Sequence, residues 1–178
     1  MILSIQIALI IVLVVISYQD IKDRLIYWFL PLLVGAALAF IHYLTAGAFN
    51  FVLNCLFNIL LISCMLVILK VYVKYRFPFD PTQDKPESRF SDFFGLGDIL
   101  FIYALALGFA TIAFITMLVF GLFFALLLHF VLSSNILNIF TDRKENQSSV
   151  PLAGYLSLFY IGILLTHWLG GYDQLYLL

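Results

Sequence analysis

The chain has 178 residues, 64% of them hydrophobic and only 11% charged, and its mean hydropathy is +1.10. Such values exclude an ordinary water-soluble domain, and nothing in the composition points to a nucleic-acid partner. The formal net charge of -1 conceals an asymmetry, because all nine Lys and Arg residues fall in three segments between apolar runs. The unit to count is therefore the membrane span, about 20 apolar residues for a hydrocarbon core of about 30 Å.

The first run covers residues 2–19. No Lys or Arg precedes it, Lys22 and Arg24 follow it, and no small-residue cleavage site closes it. It reads as a retained first span with the N-terminus outside, not as a cleaved signal peptide. The span ends at Gln19-Asp20-Ile21-Lys22-Asp23-Arg24, which is too polar for the bilayer interior. A second span is predicted over 25–44, and the uncharged turn Thr45-Ala46-Gly47-Ala48 places its end on the far side. The third, over 49–71, leads into the longest polar segment, 72–95, which holds Pro78, Pro81 and Pro86. That segment reads as a cytoplasmic loop, either a simple connection or a gate beside an active site.

From Gly95 to Leu132 the chain is almost wholly apolar. It makes two spans if it turns near Gly108-Phe109-Ala110-Thr111, which leaves a short fourth span over 97–110. A sixth span is predicted over 150–169, beyond a third basic segment at 133–149. With six spans, the basic segments at 20–25, 72–95 and 133–149 share one face, the cytoplasmic one. The expectation is an all-α, multi-pass protein of the cell (inner) membrane, N-out and C-out. Residues 1–178 form a single integral-membrane domain. No internal repeat is evident, which argues mildly against a transporter built from inverted repeats.

Cys55 and Cys64 fit neither a CxxC pair nor a zinc spacing and read as small buried apolar residues. His42, His129 and His167 are scattered over different spans without i, i+4 pairing, so no metal site is expected. Tyr18, Tyr27, Trp28, Tyr72, Tyr75, Tyr155, Trp168 and Tyr172 lie near predicted span ends and read as interface anchors. Lys70, Lys74 and Arg76 are expected to fix orientation in the membrane.

The residues that carry chemistry are acidic. A carboxylate at the edge of a span is costly to keep, so Asp98, at the end of Gly95-Leu96-Gly97-Asp98, and Asp20, at the end of the first span, stand out. Gly95 and Gly97 permit backbone geometry and close approach that side chains would block, and an acid at a helix start is favoured when ionised. Both aspartates fall on the predicted cytoplasmic edge. Two carboxylates brought close cannot both ionise cheaply, which supplies the one base and one acid that peptide hydrolysis needs. Asp23 competes with Asp20 as the first aspartate but stands next to Arg24 as a solvated pair would; Asp98 also admits the plainer reading of a helix-capping acid.

Three blocks resemble the type IV prepilin peptidases, membrane aspartic peptidases with a GxGD motif. Asp20-Ile21-Lys22-Asp23-Arg24-Leu25-Ile26 resembles that family's first-aspartate segment, Gly95-Leu96-Gly97-Asp98 its second, and Val150-Pro151-Leu152-Ala153-Gly154-Tyr155-Leu156 its proline-initiated last segment. The resemblance implies catalytic roles for Asp20 and Asp98, no metal or organic cofactor, and a prepilin or pseudopilin precursor as substrate. The substrate's basic leader would be removed at the cytoplasmic face, in service of a type IV pilus or protein secretion. Asp80, Asp84, Glu87 and Asp92 would then help to hold the leader, or simply be solvated. This chain has Leu100 where a lysine often follows the GxGD aspartate, and Ile26-Tyr27 where an Ile-Pro pair is common. The cysteine-paired N-terminal extension linked to N-methylation has no counterpart here, so peptidase activity without methyltransferase activity is expected. Two alternatives stand beside this reading. One is another GxGD intramembrane protease, disfavoured because the first aspartate is not in a Tyr-Asp pair and no Pro-Ala-Leu string occurs. The other is a small transporter or assembly subunit using Asp20 and Asp98 to bind a proton or cation.

Overall fold

The computed structural model describes residues 2–76, 95–133 and 151–168. Tyr172, the acids Asp80, Asp84, Glu87 and Asp92, and the third basic segment lie outside the described residues. The described chain is all-helical: α1 (Ile2–Asp23), α2 (Phe29–Ala46), α3 (Ala48–Arg76), α4 (Leu96–Ala106), α5 (Thr111–Ser133) and α6 (Leu152–Trp168). Four of these, α1, α2, α3 and α5, are long and apolar enough to cross a membrane, and α4 and α6 are shorter apolar helices. Helices are the natural outcome, since a chain in hydrocarbon must satisfy every backbone N–H and C=O within itself. The protein is an all-α membrane protein.

Helix lengths refine the expected spans. α1 runs on through the polar segment to Asp23, where Arg24 adopts a left-handed φ of 55° and its N–H bonds the Asp20 carbonyl at 3.2 Å. This is a helix stop made without glycine. α3 has 29 residues, about 44 Å at 1.5 Å per residue, and so outreaches the hydrocarbon core. The surplus is its last two turns, where Lys70, Lys74 and Arg76 sit favourably at the negative end of the helix dipole. α4 has only 11 residues, about 17 Å. The chain breaks after it at residues 107–110, where the glycine-containing turn was expected.

The described residues form two compact units. The first holds α1, residues 115–133 of α5, and α6. On α1 the residues Gln6, Leu9, Leu13, Ile16 and Asp20 are buried. Their alternating spacing of three and four makes one stripe, the pattern that seats one helix on another. α6 packs antiparallel to this stripe. Gly154, near its start, meets Asp20, and Trp168 Nε1, at its end, donates to Gln6 Oε1 at 3.0 Å. Small residues let the backbones approach: Ala153, Gly154 and Ser157 lie on the buried face of α6. On α5, a Cβ at Gly121 would fall 2.9 Å from Leu156 Cδ2.

The second unit holds α2, α3, α4 and the 107–114 stretch. α2 and α3 are joined by Gly47 alone, at φ 78° and ψ 161°, a region that only glycine enters freely. α4 crosses α2 closely, because a Cβ at Gly35 would lie 3.3 Å from the Ala104 backbone. The break after α4 leaves carbonyls that the helix no longer satisfies, and polar side chains of α2 and α3 take them up. Asn58 Nδ2 donates to the Ala106 oxygen at 2.9 Å and the Phe109 oxygen at 3.0 Å. His42 Nδ1 donates to the Leu107 oxygen at 3.0 Å, which leaves Nε2 to accept from Asn54 Nδ2 at 3.4 Å. Thr111 Oγ1 donates to Asn54 Oδ1 at 3.3 Å.

Two residue expectations are corrected. Tyr155 is not an interface anchor but a core residue, 1% exposed, because the first turn of α6 is already docked. Cys64 is exposed while Cys55 is buried: nine positions on a helix turn the second thiol well away from the first. Tyr18, Tyr27, Trp28, Tyr72 and Tyr75 are exposed. His42 is wholly buried in its polar cluster.

Candidate active site

Asp20 is the last member of the inward stripe of α1 and is 5% exposed. Its carboxylate would be an expensive passenger in an apolar interface without a donor. The donor is the backbone N–H of Gly154, 2.6 Å from Asp20 Oδ2. Gly154 lies in the first turn of α6, whose helical bonding opens with Tyr155 N on the Pro151 oxygen at 3.2 Å. The amides before Tyr155 have no intrahelical acceptor, and Pro151 carries no N–H to compete. Asp20 thus caps a helix that follows it by more than a hundred residues, and meets the positive end of that helix's dipole. Gly154 also makes room: a Cβ there would lie 3.1 Å from Asp20 Oδ2, 3.2 Å from Asp20 Cβ and 3.3 Å from Ile21 Cγ1. Each of these separations is tighter than ordinary van der Waals contact.

Asp98 lies in the first turn of α4 and is half-buried. Gly95, the residue before the helix, is extended at φ -63° and ψ 144°, and its carbonyl accepts the first helical bond from Ile99 N at 3.2 Å. The Asp98 side chain folds back over this glycine, so that a Cβ at position 95 would lie 3.3 Å from Asp98 Oδ2. An acid at the third helical position, reaching back toward the cap, is favoured by both local geometry and dipole. Gly97 is half-buried between them.

Of the three sequence blocks, the first and the last meet, through Asp20 and Gly154, within the first unit. The second block, Gly95 to Asp98, belongs to the second unit. Asp23, the competing first aspartate, is exposed at the end of α1. Near it Lys22 Nζ donates to Tyr18 Oη at 3.1 Å and lies 5.2 Å from the Tyr18 ring centroid, a snorkelling pair at a span end. Among the described residues, no three His, Cys, Asp or Glu side chains gather as a metal site would require.

Gly154 is the residue that sequence reasoning missed. The available signal was the α1 stripe itself, which turns Gln6 and Asp20 inward and so demands a donor for each. Asn54 and Asn58 carried a similar signal, as amides spaced by four within the apolar stretch of α3. Compared with known proteins, the chain matches no family model, no curated protein and no solved structure.

Proposed function

We propose that the protein is a membrane aspartic endopeptidase that removes the basic leader from type IV prepilin-like precursors at the cytoplasmic face of the cell membrane. The observation that carries this reading is the carboxylate of Asp20, buried at the end of a span and held by the N-terminal turn of α6. Position 20 and position 154 belong to two of the three blocks in which the sequence resembles prepilin peptidases. Their contact gives two separate lines of the resemblance one physical basis.

In this reaction one carboxylate takes a proton from water as the water attacks the scissile carbonyl. The other, protonated, donates to the carbonyl oxygen as it gains charge. In the proposed mechanism Asp20 and Asp98 take these two roles. Gly95 supports Asp98 by leaving its carboxylate room. Lys22 and Arg24 after the first span, and Lys70, Lys74 and Arg76 on the last turns of α3, support a cytoplasmic placement of those ends.

The test is cleavage of a panel of pilin-like precursors in membranes by the wild type and by Asp20→Asn, Asp98→Asn and Asp23→Asn, each checked for folding. Loss of processing in the first two with Asp23→Asn active is the expected outcome. Processing that survives either dyad substitution overturns the mechanism. Proton- or cation-coupled transport without proteolysis would favour the alternative in which the same aspartates bind an ion.

A further inference from the structure

We infer that Gly154 is a positioning residue for Asp20: its backbone N–H and its lack of a side chain together fix the direction of the reactive carboxylate. The inference rests on the peptidase reading and deepens it, by giving the proline-initiated last block a task in catalysis.

A carboxylate on a short side chain still rotates about its last bond, and a general acid or base must present one oxygen to one place. Binding Oδ2 to the Gly154 amide at 2.6 Å removes that rotation and leaves Oδ1 as the oxygen for chemistry. The amide itself is rigidly placed, being in the first turn of a helix whose following residues Tyr155, Leu156 and Ser157 are all buried. Pro151 sets the start of that helix, and Ser157 Oγ, bonded to the Ala153 carbonyl, ties down its first turn. The side chain matters as much as the amide. A methyl group at position 154 would press at once on Asp20 Oδ2, Asp20 Cβ and Ile21 Cγ1, at 3.1, 3.2 and 3.3 Å. Alanine would thus keep the donor while pushing the acceptor aside, and proline would remove the donor as well. Neither breaks α6, because proline is tolerated in a first turn, where the N–H has no helical partner.

The experiment compares kcat and KM for precursor cleavage by wild type, Gly154→Ala, Gly154→Pro and Gly121→Ala, with thermal unfolding of each. Gly121→Ala is the packing control: it crowds Leu156 and Phe159 of the same helix, with Cβ distances of 2.9 and 3.2 Å, but touches no residue of the dyad. Misplacing a catalytic group by a fraction of an ångström to an ångström costs up to about 10²-fold in rate. The expected result is therefore a kcat lowered about tenfold in Gly154→Ala and about 10²-fold in Gly154→Pro, with KM within about twofold of wild type. Gly121→Ala, even where it melts earlier, should keep its kcat. A folded Gly154→Pro enzyme with wild-type kcat overturns the inference, as does a kcat loss in Gly121→Ala equal to that in Gly154→Pro. If Asp20→Asn remains active, or the wild type cleaves no precursor, the peptidase reading itself fails and the inference goes with it. Inactive Asp20→Asn beside fully active Gly154→Pro leaves that reading standing and sinks the inference alone.

Discussion

Two carboxylates meet the same physical problem and solve it differently. Asp98 lies at the start of its own helix, over a glycine three residues before it, so its setting is built from one short string. Asp20 lies at the end of α1 and borrows the start of a different helix, with Gly154 as donor. Both end up beside a helix N-terminus, and both have a glycine whose absent side chain leaves room for the carboxylate. One arrangement is local and one is tertiary. The local one survives as long as a single turn of helix survives; the tertiary one exists only while α1 and α6 are docked.

The largest effect that bears on this contrast is catalytic. Asp20→Asn and Asp98→Asn should each lower precursor cleavage by on the order of 10²–10⁴-fold, the range for a lost general acid or base. Unequal loss, with either variant near wild type, would break the view of the two as partners. The next effect separates the units. Asn58→Ala strips donors from the Ala106 and Phe109 carbonyls and should destabilise the protein by about 2–6 kcal/mol, since each buried orphan costs about 1–3 kcal/mol. Hydrogen exchange should quicken around residues 104–111 and stay slow along α1. Equal quickening in α1 would show that the two compact units open as one.

Stability should then tell the two aspartates apart. Asp20→Ala leaves the Gly154 amide buried without an acceptor and should cost about 1–3 kcal/mol, with faster exchange at residues 152–155. Asp98→Ala removes a dipole-favoured acid from the first turn of α4 and should cost no more than about 1 kcal/mol. Calorimetry of both in one detergent reads the difference, and a reversed order would contradict the local-versus-tertiary assignment. The smallest effect concerns Gly95. Among the described residues its Cβ would touch only the far end of the Asp98 side chain, at 3.3 Å from Oδ2, so Gly95→Ala should slow cleavage about two- to tenfold, with unfolding unchanged. A loss as large as that of Asp98→Asn would mean that Gly95 acts through the backbone instead.

What the sequence made legible follows the same divide between local and tertiary. Apolar runs long enough for spans, the break at Gly108-Phe109-Ala110-Thr111, and the acid behind Gly95 and Gly97 are all readable in windows of a few residues. The contact between Asp20 and Gly154 is not, because it joins the two ends of the chain and depends on which face α1 turns inward. The fate of Tyr155 was hidden for the same reason: its place near a span start suggested an interface, while docking of the first turn of α6 buried it. Asn54, Asn58 and His42 are polar residues set in apolar stretches of α2 and α3. Their purpose appears only once the helix break brings orphan carbonyls to them.

The single-residue link at Gly47 has a consequence for how the protein reaches the membrane. No Asp, Glu, Lys or Arg occurs between Arg24 and Lys70, so α2, Gly47 and α3 make a tight hairpin whose tip carries no charge. Moving such a tip through hydrocarbon avoids the penalty of about 2.5–3.5 kcal/mol that each charged residue incurs at the centre of a span. The two helices can then be inserted as one object, tip first. Arg24 and Lys70, at its two mouths, carry the charges that resist following the tip across.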